Sequence, residues 1–147
     1  MKKVIFTFLS VLFLTVASQA QTPPLVMHNI TECDLIVYIY TSNAVCEPTT
    51  TITNILPSGA SSGVTLPLGS TFIIGAEVYR YNVKAAMVCG DGETIAPPPT
   101  CGACQMSGPH QVILPGGMDD CCPTKVTGDW YETGCSGSAQ TTELKFF

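Results

Sequence analysis

No stretch of this chain gathers good helix formers over three helical turns. Short runs rich in threonine, valine, isoleucine and tyrosine are instead cut repeatedly by proline and glycine. In residues 35–40, Leu35, Val37 and Ile39 alternate with Ile36, Tyr38 and Tyr40. Both sets are apolar, as in a central strand whose outer face carries tyrosines. Residues 72–78 repeat the pattern, with Phe72, Ile74, Ala76 and Val78 on one face and Ile73, Gly75 and Glu77 on the other, continued by Tyr79. Residues 83–89 place Val83, Ala85, Met87 and Cys89 opposite Lys84. Shorter strands are expected at 25–30, 50–56, 62–66, 111–114, 130–133 and 141–146. Turns are expected at Pro57-Ser58-Gly59, Pro67-Leu68-Gly69, Asp91-Gly92, Pro115-Gly116-Gly117 and Thr127-Gly128-Asp129. Short strands between frequent turns predict an all-β chain, an antiparallel β-sandwich of immunoglobulin-like or jelly-roll-like arrangement.

The cysteines add a second constraint. All eight, Cys33, Cys46, Cys89, Cys101, Cys104, Cys121, Cys122 and Cys135, follow an N-terminal segment that reads as a secretory leader. Lys2 and Lys3 precede an apolar run over 4–16, and Ser18-Gln19-Ala20 supplies the small residues of a cleavage site. Residues 1–20 are therefore expected to be a signal peptide of bacterial style, and 21–147 a single domain. The apolar run is shorter than the roughly 20 residues that span a bilayer. The expected location is extracellular, or periplasmic in a Gram-negative cell. An even cysteine set in a small exported chain reads as a disulfide framework. Cys33 and Cys46 flank one strand, and a bond between them would contribute about 3 kcal/mol on the chain-entropy model. The adjacent Cys121 and Cys122 are expected to serve two different partners. Residues 90–124, with Pro97-Pro98-Pro99 and four cysteines, read as a long irregular excursion stapled to the sandwich.

Several chemistries can be weighed on spacing and context. Cys101-Gly102-Ala103-Cys104 has the spacing of a redox dithiol, but prolines precede it and Pro109 follows soon after, so the activating helix is missing. A zinc ribbon would draw on Cys101, Cys104, Cys121 or Cys122, and His110 or Cys135, yet its second half lacks the matching gap. Neither metal nor cofactor is expected from these residues. Gly59-Ala60-Ser61-Ser62-Gly63 satisfies G-x-S-x-G, but strand-like Val64-Thr65-Leu66 follows where the nucleophile elbow needs a helix. It reads as a turn between strands. Asp91 and Glu93, and Asp119 and Asp120, are oxygen-rich loop candidates for calcium without the EF-hand pattern. His28 and His110 have no sequence neighbour that marks them as catalytic.

Charge narrows the partners further. With Lys2 and Lys3 removed, four basic residues face eleven acidic ones, which argues against nucleic acid and anionic lipid. Trp130 and Tyr131, with Tyr79 and Tyr81, form the candidate ligand platform, suited to stacking on sugar rings; the equally ordinary reading places at least some of them in the core or at its rim. The expected role is a non-catalytic structural or binding module at or beyond the cell surface, with carbohydrate or another surface protein as partner. Two alternatives are a small secreted effector or inhibitor presenting residues 90–124, and a secreted hydrolase using paired carboxylates.

Overall fold

The computed structural model describes residues 25–43, 45, 47–70, 72–95, 110–116, 121–133 and 141–147. The leader, Cys46, Cys101, Cys104, Cys135 and the Asp119–Asp120 pair lie outside them. Nine strands and no helix occur among the described residues: β1 (Leu25–Asn29), β2 (Leu35–Ser42), β3 (Pro48–Leu56), β4 (Ser61–Val64), β5 (Phe72–Asn82), β6 (Met87–Ile95), β7 (His110–Leu114), β8 (Val126–Thr133) and β9 (Thr141–Phe146). They form two sheets, β4-β1-β9-β8-β7 (the first sheet) and β3-β2-β5-β6 (the second). The sandwich expected from the sequence is present. It is antiparallel throughout except that β1 runs parallel to β9.

The alternation of β2 explains its place. Leu35, Val37 and Ile39 are fully buried between the sheets, and neighbours β3 and β5 flank the strand on both sides. The facing layer comes from Leu25, Met27, Val112, Val126, Trp130, Leu144 and Phe146 of the first sheet. Strand β3 lies at an edge, and its exposed threonines and starting proline suit that position. A register shift after Tyr40 changes the parity of early β5. Ile73, rather than the expected Ile74, therefore packs against the core.

Asn29 pins the corner where the chain crosses between sheets at both 30–34 and 57–60. Its buried amide donates to the carbonyls of Cys33, Leu56 and Pro57, at 2.7, 3.0 and 3.1 Å. Its Oδ1 accepts from the Thr31 backbone N–H and hydroxyl. A buried amide so fully engaged fixes loop geometry that apolar packing alone would leave open.

Among the described residues, two disulfides staple one end of the sandwich, Cys33–Cys122 and Cys89–Cys121. The expected Cys33–Cys46 bond is overturned, because Cys33 lies beside the segment entering β8 and bonds Cys122. The adjacent cysteines do take different partners. Thr124 Oγ1 lies 3.2 Å from Cys33 Sγ and 3.1 Å from Cys122 Sγ. Buried Arg80, the register partner of Leu35 and Cys89, donates through Nη1 to the Cys122 carbonyl at 2.9 Å.

Four assignments change, the first being Gly59-Ala60-Ser61-Ser62-Gly63, whose last three residues belong to β4 and not to a turn. Residues 83–86 form the β5–β6 turn instead of a strand, with Asn82 Oδ1 accepting the Ala85 N–H at 2.9 Å and Ala86 at a φ of 51°. Asp91-Gly92 and Thr127-Gly128-Asp129 lie inside β6 and β8. Glycine there provides room, not a bend: a Cβ on Gly128 would stand 2.6 Å from Val112 Cγ1 and 2.8 Å from the Phe146 ring. The expected excursion 90–124 is also shorter than read. It contains the end of β6 and all of β7, while 96–109 and 117–120 lie outside the described residues.

Candidate functional site

The outer face of the second sheet carries a cluster assembled by register. Tyr38 on β2 pairs with Glu77 on β5, Ile36 pairs with Tyr79, and Tyr40 pairs with Gly75. All three tyrosines sit on the face opposite the core because their strands bury the intervening residues. Glu77 stands among them. Tyr79 donates its hydroxyl to Glu77 Oε1 at 2.6 Å, and Tyr40 donates to Oε2 at 2.7 Å. The Tyr38 and Tyr79 rings meet edge to face, 5.7 Å between centroids and 86° between planes. Gly92 of β6 leaves room for the Tyr79 ring, since a Cβ there would overlap it. Threonines surround the cluster: Thr53 and Thr51 pair with Tyr38 and Tyr40, and Thr94 pairs with Glu77.

These bonds set the protonation states. The two phenol donors, Tyr79 first and Tyr40 second, hold the Glu77 carboxyl below its ordinary range, so it is ionised at neutral pH. The same carboxylate pushes the Tyr79 phenol up to about 12 and raises that of Tyr40. The signs follow. Tyr79 stabilises the fold fully below its ordinary value of 10.0, and that contribution is lost as pH rises through about 12. Glu77 contributes above its ordinary 4.5, and its contribution is lost as pH falls through the depressed value. In a phenolate-absorbance titration, Tyr40 and Tyr79 should ionise late in the native protein. Glu77→Gln should bring both back toward 10.0 while leaving Tyr131, whose raised value comes from its bond to Asp129, unchanged. Equal late ionisation in the variant would show that Glu77 is not the cause.

The platform expected from sequence divides among three places. Trp130 is buried in the core, 2% exposed. Tyr131 lies on the outer face of the first sheet, where it donates to Asp129 Oδ2 at 2.9 Å. Tyr79 and Tyr81 lie on the second sheet, on the opposite side of the sandwich. Sequence reasoning therefore missed Tyr38, Tyr40 and Glu77 as members of the site. Their signal was present in the alternation of 35–40 and 72–79, which puts all three outward. Asp91 and Glu93 sit on β6, and no group of three or more metal-ligating side chains occurs among the described residues. No protein-family model matches the chain, and no characterised protein or solved structure is significantly similar to it.

Proposed function

We propose that this protein is an exported binding module that takes neutral carbohydrate on the outer face of the second sheet. The supporting observation is the pair of phenol-to-carboxylate bonds that locks Tyr40 and Tyr79 around an ionised Glu77. Rings held this way lose little freedom when a ligand stacks on them. Sugar C–H faces suit aromatic rings, and the remaining lone pairs of Glu77 can accept hydroxyl hydrogens as charge-assisted bonds. The acidic balance of the chain disfavours polyanions. Two disulfides are consistent with an oxidising, extracellular setting. The effector alternative has less support, since 90–95 and 110–114 belong to strands β6 and β7.

Affinity electrophoresis through gels containing xyloglucan, mixed-linkage β-glucan or galactomannan tests the proposal. Retardation is expected in at least one gel, with mobility restored in the Tyr38→Ala/Tyr79→Ala double variant. Tyr131→Ala, on the opposite face, should behave as wild type. No retardation in any gel, or retardation indifferent to Tyr38 and Tyr79, would reject it.

A further inference from the structure

The outer face of the first sheet, opposite the tyrosine cluster, holds a serine, a histidine and a glutamate in line. His28 on β1 pairs with Ser61 on edge strand β4 and, on its other side, with Lys145 on β9. His28 Nδ1 lies 2.8 Å from Ser61 Oγ, and His28 Nε2 lies 3.1 Å from Glu143 Oε1. Lys145 Nζ holds the same Glu143 oxygen at 3.0 Å and stands 5.6 Å over the Tyr131 ring. With the Nε2–H donated to Glu143, Nδ1 is the free acceptor for the Ser61 hydroxyl hydrogen. That is the division of roles a histidine base needs, with the imidazole turned so that Nδ1 faces the serine.

The backbone supplies two further requirements. The Asn29 N–H donates to the Ala60 carbonyl, which makes residues 29 and 60 a hydrogen-bonded pair and 28 and 61 a non-hydrogen-bonded one. Side chains of such a pair approach most closely, which explains the His28–Ser61 contact. The same parity aims the Ser61 N–H away from β1 toward the open edge of the sheet, where it can face an oxyanion formed on Ser61. Gly63, two residues along the same face and paired with Val26, leaves bare backbone beside the serine for a small acyl group.

We propose that Ser61 is a nucleophile toward short-chain carboxylic esters, with His28 as its base and Glu143 orienting the imidazole. Ser61 Oγ attacks the acyl carbon as its proton passes to His28 Nδ1. The same proton then passes to the departing alkoxide, which leaves as the alcohol. Water, deprotonated by Nδ1, attacks the acyl-serine, releasing the carboxylic acid and restoring Ser61. The serine is thus reached through cross-strand neighbours instead of a nucleophile elbow, so the G-x-S-x-G match is incidental to its activation.

The test uses a fluorophosphonate probe on the full exported chain, read by intact mass and peptide mapping. A single adduct on Ser61 is expected, absent from Ser61→Ala and formed roughly 100-fold more slowly in His28→Gln. Glu143→Gln serves as a second positioning variant should His28→Gln fail to fold, with slower labelling again expected. Hydrolysis of p-nitrophenyl butyrate should disappear in Ser61→Ala. No adduct in the wild type, an adduct elsewhere, or labelling indifferent to both His28→Gln and Glu143→Gln would overturn the proposal. So would butyrate hydrolysis persisting in Ser61→Ala, which would make the imidazole itself the reagent. Carbohydrate binding on the other face is read separately, so failure of one proposal leaves the other standing.

Discussion

Replacing Cys33 and Cys122 together by alanine is expected to cost about 4–5 kcal/mol of stability, the chain-entropy value for so long a closed loop. The two residues lie 89 apart in sequence, and their bond joins the chain just before β2, in one sheet, to the chain just before β8, in the other. Without it the unfolded ensemble gains the freedom to separate the two sheets almost entirely. The matching Cys89→Ala/Cys121→Ala variant opens a loop of separation 32 and should cost less, about 3–4 kcal/mol. Urea unfolding of both double variants against wild type measures the difference, and an increased m-value would place part of the effect in the unfolded state. An equal or inverted ranking would mean that local packing around Thr124 and Arg80 outweighs loop entropy.

Trp130→Ala is expected to cost about 3–5 kcal/mol, in the range of large buried aromatic truncations. Trp130 shares the inner face of β8 with Val126 and Gly128, and its register partner on β9 is the fully buried Leu144. Polysaccharide retardation by the folded fraction should nevertheless be unchanged, because the ring lies inside the sandwich and the tyrosine cluster outside it. The same ring, the chain's one tryptophan, gives a convenient fluorescence probe of wild-type unfolding. A variant with native stability and lost binding would reverse both expectations and return Trp130 to the ligand surface.

The contrast between Trp130 and Tyr38 shows how far local pattern carries. Residues 35–40 alternate without interruption, so the tyrosines could be placed outward before any pairing was known. The strand expected over 130–133, after a turn at Thr127-Gly128-Asp129, is too short to fix which way Trp130 points. In fact β8 starts at Val126, and the parity of that longer strand sends Trp130 inward. Glycine was ambiguous for a physical reason. At Gly59 and Gly69, with φ of 71° and 88°, it serves a turn, whereas at Gly92 and Gly128 it makes space for a neighbouring ring. Only the partner strand distinguishes the two uses. The cysteine pairing was illegible for the same reason, since Cys33 and Cys122 meet through sheet packing and not through any local spacing. The Ser61–His28–Glu143 alignment likewise depends on three strands distant in the chain, one of them parallel.

That parallel pairing also determines how the molecule bears load. Strands β1 and β9 lie side by side over five register pairs, Leu25 with Thr142 through Asn29 with Phe146. A pull on the chain entering β1 against a pull on the chain leaving β9 drags the two strands lengthwise past each other. The hydrogen bonds between them are then strained together in shear instead of being unzipped one at a time. A domain tethered at both ends would resist stretching through this seam of its first sheet.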